Sequence, residues 1–337
     1  MQSIHYFAGG NTARGFVSCF PAILPQSQQK RMYYIKGGPG VGKSTLMKRF
    51  AKAAEEKGLE VAYFHCSSDP DSLDGIIDET ISGAIIDATA PHTYDPPYPG
   101  STGAILSMGD FLDEGALYKN AEKIESINRE MKKAFHSACQ YLKSASDIES
   151  ANEANENARL ADALSDEILS DLPQKNGYGT LRTFFLDAYT HKGRISYVNT
   201  FDKGAVISVA APFPAHVDML LRTIAHKARL YGQNVILFPS PVSPEKISHI
   251  YLPDVPLLVT SEALDGAHRT FDAYQKTPVY RPGDKALFDA LTEKACTAMA
   301  DAKRLHDELE EVYIPRMDFS RLIECESRVI SAFDGMK

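Results

Sequence analysis

The chain of 337 residues contains no Trp, and its five Cys residues lie far apart and never form a CxxC pair. Disulfide scaffolds and zinc sites both use cysteines at short, paired spacings. Neither is indicated here. We therefore interpret the five cysteines as reduced thiols of a cytoplasmic protein.

Long apolar runs and an excess of basic residues are also missing. No run of about 18 apolar residues occurs, and the first residues lack the basic and apolar segments of a secretory signal. Lys and Arg total 36 against 44 Asp and Glu, which gives a net charge of −8. No basic stripe interrupts this balance, as a nucleic-acid-binding surface would require. We expect a cytoplasmic protein without a membrane or nucleic-acid partner.

The two halves of the sequence resemble each other. Residues 37–87 align without a gap with residues 211–261 at an offset of 174, and upstream residues 7–18 match 185–196 at an offset of 178. Both copies show the pattern of a hairpin, an apolar strand, an amphipathic helix ending at glycine, and another apolar strand. This alternation predicts an α/β fold in which each half forms a parallel sheet covered on both faces.

A helical pattern follows each α/β unit, which predicts a helical hairpin or bundle after each sheet. The predicted organisation is an α/β domain (1–110), an acidic helical segment (111–175), a second α/β domain (176–282) and a C-terminal helical segment (283–337). From Ser144 to Leu172 the chain carries eight acids and one base. A solvated helical face is the simple interpretation, and a docking surface for a protein partner is the alternative.

Residues 37–44 match the phosphate-loop pattern G-x-x-x-x-G-K-[ST], between a predicted strand and a predicted helix. Glycine conformations allow successive N–H groups to turn toward an anion, and the helix N-terminus adds its dipole. The predicted nucleotide-binding residues are Gly37, Gly38, Pro39, Gly40, Val41, Gly42, Lys43, Ser44 and Thr45.

The pattern also predicts roles within this site. Lys43 is expected to reach the β- and γ-phosphates, and the Ser44 hydroxyl is expected to bind Mg²⁺. Asp87, at the end of the apolar segment "GAIID", is the candidate acid that holds Mg²⁺ through water, unless it merely caps the following turn. Ala88 comes next, where many ATP-hydrolysing proteins with this loop have a Glu that orients water. ATP or another NTP and Mg²⁺ are thus the expected cofactors, with slow hydrolysis.

A polar loop follows the second predicted strand, at the sheet edge where ligands of open α/β folds bind. Its candidates for positioning a phosphate acceptor or a second metal are His65, Ser67, Asp69, Asp71 and Asp74. The alternative is a loop held together by Asx and Ser turns.

The second copy of the phosphate-loop segment has residues that act against phosphate binding. Val217 stands in place of Lys43, and Asp218 adds a negative charge in place of Ser44. Pro212 and Pro214 replace glycines and remove N–H donors. The second half is therefore predicted to keep the fold without binding nucleotide.

The degenerate half suggests a hypothesis about the first site, because phosphate-loop sites often need a cation from outside their own domain. In this hypothesis the two halves pack as a pseudo-dimer. One base of the second half then completes the first site, and the candidates are Lys192, Arg194, Arg222 and Arg229. The alternative is that all four are ordinary surface cations.

The segments "GGPGVGKST", "HCSSDPDSLDG" and "AIIDATAPH", preceded by "GGNTARGF", are similar to those of uncharacterised bacterial twin P-loop NTPases, described as ATPase-like or nucleotide-kinase-like. This resemblance implies two tandem P-loop NTPase-like domains, the second degenerate, with ATP and Mg²⁺ but no defined reaction. "GGPGVGK" is also similar to the loop of nucleoside monophosphate kinases, whose Arg-rich lid this sequence lacks.

Three functions therefore stay open. The first is a slow ATPase in which Lys43 and Asp87 are catalytic. The second is a small-molecule or nucleotide kinase. The third is a nucleotide-sensing scaffold with little turnover.

Overall fold

The computed structural model describes residues 3–152, 156–201, 204–209, 211, 213, 215–271 and 280–334. The first half begins with strand β1 (Ile4–Phe7) and a hairpin of β2 (Gly9–Thr12) and β3 (Gly15–Ser18). Strand β4 (Arg31–Lys36) leads through the glycine-rich loop into helix α1 (Lys43–Glu55). Four strands follow: β5 (Val61–His65), β6 (Leu73–Asp78), β7 (Gly83–Asp87) and β8 (Gly103–Ser107). Apart from the hairpin, these strands form one sheet in the order β1-β5-β6-β7-β4-β8.

The connecting segment contains helices α2 (Glu114–Tyr118), α3 (Ala121–Ala151) and α4 (Ala158–Ile168). The second half then comprises β9 (Leu181–Thr183), a hairpin of β10 (Asp187–Thr190) and β11 (Gly193–Ser196), β12 (Ala205–Ser208), helix α5 (Asp218–Leu230), β13 (Val235–Pro239), β14 (Ile247–Leu252), β15 (Leu257–Thr260) and β16 (Arg269–Thr270). Helices α6 (Asp284–Tyr313) and α7 (Phe319–Asp334) end the described chain.

The internal repeat is present in the fold. The second sheet has the order β9-β13-β14-β15-β12-β16, so equivalent strands occupy equivalent places in both sheets. Strands β5 and β13 begin 174 residues apart, and hairpins β2–β3 and β10–β11 begin 178 residues apart. Gly58 and Gly232, predicted to end the two helices, both have positive φ, at 76° and 77°. The chain is thus a mixed α/β protein with two similar six-stranded sheets, each followed by helices.

The prediction of purely parallel sheets is wrong at one strand in each half. β6 runs antiparallel between β5 and β7, and β14 runs antiparallel between β13 and β15. Only four residues, 79–82, connect β6 to β7. A connection this short joins antiparallel neighbours, because a parallel crossover needs a dozen or more residues. Asp74 therefore lies in a strand and not in a loop.

The two halves pack against each other across a pseudo-two-fold axis. Phe7 and Phe185, which are equivalent at the offset of 178, exchange backbone hydrogen bonds of 2.8 and 3.0 Å. Around them, Tyr6 and Phe64 of the first sheet contact Phe184 of the second, with ring centroids 5.3 and 4.9 Å apart. The sheets thus share one aromatic core, as the pseudo-dimer hypothesis expects.

Helices α3 and α6 form a long antiparallel pair. The Asn152 side chain donates to Asp284 Oδ2 at 2.7 Å, which joins the end of α3 to the start of α6. Small side chains allow the two helices to approach closely, and the buried ones include Ala138 and Ala145 of α3 and Ala295 and Ala298 of α6. Each long helix therefore carries the chain from one half to the other.

The last helix after each sheet packs on the opposite half. Helix α4 buries Ala161 and Ile168 in the core around α5. Helix α7 buries Leu322 and Phe333 in the core around α1, and Arg49 of α1 pairs with a buried carboxylate of α7. The first α/β unit is therefore completed by the C-terminal end of the described chain.

Candidate functional site

The loop between β4 and α1 adopts conformations that require glycine. Gly40 and Gly42 have φ values of 67° and 91°, which other L-residues rarely adopt. Within the described residues, the N–H groups of Gly40, Gly42 and Thr45 donate no hydrogen bond. They lie at the start of α1, where the helix dipole favours an anion. The loop therefore offers unpaired donors for an acceptor from outside the chain.

Lys43 lies across this loop. Its Nζ donates to the carbonyl oxygens of Gly37 and Gly38 at 2.7 and 2.8 Å, and it lies 3.5 Å from Asp87 Oδ2. The Lys43 and Asp87 side chains are 15% and 12% exposed, so the pair is largely shielded from solvent. The structure thus brings the cation and the strand-end acid together.

Asp87 also caps the following turn, as the alternative interpretation proposed. Its Oδ1 accepts from the Thr89 N–H at 2.8 Å. The Thr89 hydroxyl in turn accepts from the Gly37 N–H at 3.1 Å, which ties the start of the glycine-rich loop to the end of β7. Asp87 therefore has a structural contact and a contact with Lys43 at the same time, and Thr89 is a site residue that the sequence analysis missed.

Ser44 joins α1 to the antiparallel strand β6. Its hydroxyl accepts from the Leu73 N–H at 3.0 Å. The neighbouring residue, Asp74, is buried beside the site, and burial together with the charge of Asp87 raises its pKa to about 8. Its Oδ2 lies 3.4 Å from Nε2 of His92, and burial lowers the pKa of His92 to about 4. Near pH 7 this contact therefore joins two groups that are mainly neutral.

The other candidates from the polar loop have different surroundings. Asp69 accepts from the Ser72 hydroxyl at 3.1 Å and from the Asp71 N–H at 3.3 Å, in agreement with the Asx-turn alternative. His65 lies 2.8 Å from His5 and 2.7 Å from the Pro70 carbonyl oxygen, and burial lowers its pKa to about 4. Ser67 is buried. Of the five loop candidates, Asp74 is the one whose pKa is raised by the charge of Asp87.

The four cations proposed to complete the site have other partners. Lys192 pairs with Asp71, and the equivalent Arg14 of the first half pairs with Glu245 at 3.2 Å. The remaining three contact groups of the second half: Arg194 pairs with Glu262, Arg222 with Asp218, and Arg229 with the Gly179 carbonyl oxygen. Within the described residues, none of the four contacts Lys43 or Asp87.

The end of α6 and the start of α7 cover the glycine-rich loop, which no sequence pattern indicated. A Cβ added to Gly38 would lie 2.7 Å from the Tyr313 ring, and one added to Gly40 would lie 2.7 Å from Ile314. Both glycines are therefore favoured by packing against the C-terminal segment, and Gly40 is required for its positive φ as well. Sequence patterns could not indicate this contact, because the two segments are more than 270 residues apart.

The N-terminus of α5, which is equivalent to that of α1, is filled by side chains of the chain itself. Val217, in place of Lys43, is fully buried in the core. The carboxylate of Glu156 accepts from the N–H groups of Met219 and Leu220 at 2.8 and 3.2 Å. An internal anion thus occupies the N-terminus of α5. Pro212 and Pro214 lie outside the described residues.

Several acids of the segment 144–172 form ion pairs with basic residues of the second half. Lys227 pairs with Asp162 and Asp166, both at 2.6 Å, and Arg269 pairs with Glu167 at 2.7 Å. Residues 153–155 lie outside the described part. Three of the eight acids in this segment thus pair with two cations of the second half.

Comparison with known proteins gives one partial match. The family model described as Nephrocystin 3, N-terminal, matches residues 18–82, from the end of the first hairpin through the glycine-rich loop and α1 to the turn after β6. No curated protein and no solved structure gives a significant match. Among the helices that the structure describes, none has the length and apolar character needed to cross a membrane.

Proposed function

We propose that the first half binds a nucleoside triphosphate with Mg²⁺ at the glycine-rich loop and hydrolyses it slowly. The contrast between two equivalent helix N-termini carries this proposal. At α5 the N–H groups of Met219 and Leu220 are satisfied by Glu156, whereas the Thr45 N–H, equivalent to that of Met219, donates no hydrogen bond within the described residues. A helix N-terminus without an internal anion, beside a lysine, is suited to an external phosphate.

The side chains present fit this group. Lys43 would exchange the carbonyl oxygens of Gly37 and Gly38 for phosphate oxygens, which accept more strongly because they are charged. Ser44 and Asp87 supply the oxygen ligands that Mg²⁺ prefers, and the ion would neutralise charge on the phosphates. Gly40 and Gly42 have positive φ, and their N–H groups donate no hydrogen bond within the described residues, which suits phosphate binding.

Slow turnover is supported by two residues near Asp87, neither of which is ready to act as a base. Ala88 follows Asp87, and Asp74 is held mainly protonated near pH 7 by a pKa of about 8. A protonated carboxyl group cannot accept a proton from water. We therefore place the protein among slow ATPases, and do not assign Asp74 as the base.

The test compares Lys43→Ala with Lys52→Ala, which removes the same charge from the exposed face of α1. Isothermal titration with Mg²⁺–ATP should show binding by the wild type and by Lys52→Ala, and at least about tenfold weaker binding by Lys43→Ala. Phosphate release followed by ³¹P NMR should be slow in the wild type and absent in Lys43→Ala. A wild type that binds no nucleotide, or a Lys43→Ala variant that binds it normally, would overturn the proposal.

The same NMR series separates the other functions. A new phosphoester that forms only with added metabolite extract would identify a kinase. ATP that binds but stays intact under both conditions would identify a nucleotide-sensing scaffold.

A further inference from the structure

One face of α6 approaches the site from the second half. Lys303, His306, Glu310 and Tyr313 are spaced by three or four residues, so they share one side of the helix. Tyr313 packs on Gly38 of the glycine-rich loop, and a Cβ at Gly40 would lie 3.4 Å from Glu310 Cβ. This face of α6 therefore runs along the loop that carries the proposed nucleotide site.

Lys303 contacts an acid at the edge of that site. Its Nζ lies 3.6 Å from Asp69 Oδ2, and it also pairs with Asp307 one turn along α6. The distance to Asp69 exceeds that of a hydrogen bond, so the ammonium group is not fixed to this partner. The Lys303 side chain is 24% exposed, which leaves it partly shielded from solvent.

Two pKa shifts reflect the charges on this side of the site. Burial lowers the pKa of His306, and the charges of Lys303 and Lys43 lower it further against the opposing effect of Glu310. The charge of Asp69 contributes to the raised pKa of Asp74, although burial and Asp87 contribute more. Contacts also connect Lys303 to the start of α1. The Asp69 oxygen near Lys303 accepts from the Ser72 hydroxyl at 3.1 Å, and the N–H of the next residue, Leu73, donates to Ser44 at 3.0 Å.

Lys192, by comparison, is less suited to the site. It pairs with Asp71, whose side chain is 72% exposed. Screening by water makes such an exposed pair weak and distant charges ineffective. Of these two second-half lysines that contact the polar loop, Lys303 is the one whose partner in that loop is largely shielded from solvent, because Asp69 is 22% exposed.

We propose that Lys303 is a catalytic residue that contacts the terminal phosphate of a nucleotide bound to the first half. The degenerate half then completes the active site through α6. In the reaction, a water oxygen bonds to the γ-phosphorus while the bond to the β–γ bridging oxygen breaks. The electron pair stays on the nucleoside diphosphate, and the water protons pass to phosphate and solvent. Lys303 would stabilise the negative charge on the transferring group. This inference rests on the proposed nucleotide binding.

The experiment measures ATP hydrolysis and ATP affinity of Lys303→Ala in the full-length chain. Removing a cation that acts on the transferring phosphate should lower kcat about 10²-fold or more. The dissociation constant of Mg²⁺–ATP should change by less than about threefold, because Lys43 and the loop still hold the phosphates. Lys303→Arg should recover part of the lost rate, since the charge is retained.

Arg304→Ala is the matched control. Arg304 is the next residue of α6, is more exposed, and pairs with Glu308 away from the polar loop. This variant should keep the wild-type kcat. Thermal unfolding of both variants shows whether the helix still packs, since a role in packing alone would lower the melting temperature of Lys303→Ala and leave kcat per folded molecule unchanged.

The outcomes separate this inference from the proposal on which it rests. If the wild type binds no ATP, the nucleotide proposal fails and Lys303 loses its role with it. If the wild type hydrolyses ATP and Lys303→Ala does so equally fast, only the assignment of Lys303 is overturned. If the wild type binds ATP without hydrolysing it, binding stands and the catalytic role of Lys303 is rejected.

Discussion

The N-termini of α1 and α5 occupy equivalent places in two copies of one sheet, but they are completed differently. At α5, Glu156 accepts from two main-chain N–H groups and Val217 fills the core. At α1, Lys43 is bound to loop carbonyl oxygens, and the Thr45 N–H donates no hydrogen bond in the described chain. The same helix position is thus satisfied by an internal carboxylate in one half and carries an unpaired N–H in the described part of the other.

A second pair of equivalent residues makes the same structural contact in both halves. Ser44 accepts from the Leu73 N–H at 3.0 Å, and the equivalent Asp218 accepts from the Ile247 N–H at 2.7 Å. Both contacts tie a helix N-terminus to the antiparallel strand of its sheet. A serine at this position is therefore explained in part by the fold, and the stronger indication of function is Lys43.

The largest expected effect is a loss of stability when the packing of α7 on α1 is weakened. Helix α7 follows the second half in sequence but packs on the first half. Leu322 is 2% exposed, so Leu322→Ala leaves a cavity and should lower the free energy of unfolding by about 3 kcal/mol. Urea unfolding measures this loss. The neighbouring Ile323, 51% exposed, provides a control in which Ile323→Ala should change stability by less than about 0.5 kcal/mol. Equal effects of both substitutions would show that α7 is not part of the first core.

A smaller effect is expected on the pH dependence of stability, which the two halves should influence differently. His65 stands where the second half has Pro239, and burial lowers the pKa of His65 to about 4. Between pH 6.5 and 4 the unfolded chain binds a proton at this residue and the folded chain does not. The free energy of unfolding should therefore fall as the pH falls, by at most about 1.4 kcal/mol per pH unit from this group.

His65→Gln should make that pH profile shallower. His136→Gln, on the exposed side of α3, should leave it unchanged. Chemical unfolding at pH 6.5, 5.5 and 4.5 gives both profiles. A wild-type slope retained in His65→Gln would contradict the assignment.

The smallest effect should come from the internal anion at α5. Glu156→Ala removes a cap from two main-chain N–H groups and should cost about 1 kcal/mol. The affinity of the first half for Mg²⁺–ATP should stay within twofold of wild type, because the site at α1 is separate. Glu167→Ala, which removes an acid from an exposed ion pair with Arg269, should cost less than about 0.5 kcal/mol. Urea unfolding and isothermal titration test these expectations, and a loss of ATP binding in Glu156→Ala would show that the two helix N-termini are coupled.

Local features of the fold could be predicted because they depend on neighbours in the chain. The offsets of 174 and 178 locate equivalent strands and hairpins, and glycine follows the end of each amphipathic helix. Strand β6 was missed because its segment contains Asp74 and Gly75 and reads as part of a polar loop. Its place in the sheet depends on the short turn to β7 and on the strands at both sides.

The repeat, the alternation of strands and helices, and the glycine-rich loop with Gly40 and Gly42 in conformations that few other residues adopt all follow from the order of residues along the chain. The distant groups that surround this loop follow from the packing of the helices. The long helices α3 and α6 carry the chain across the pseudo-two-fold axis, so α4 and α7 pack on opposite halves. This crossing brings Lys303 to Asp69 and Glu156 to α5. Such contacts depend on how whole helices pack, and residue spacing within one segment does not encode them.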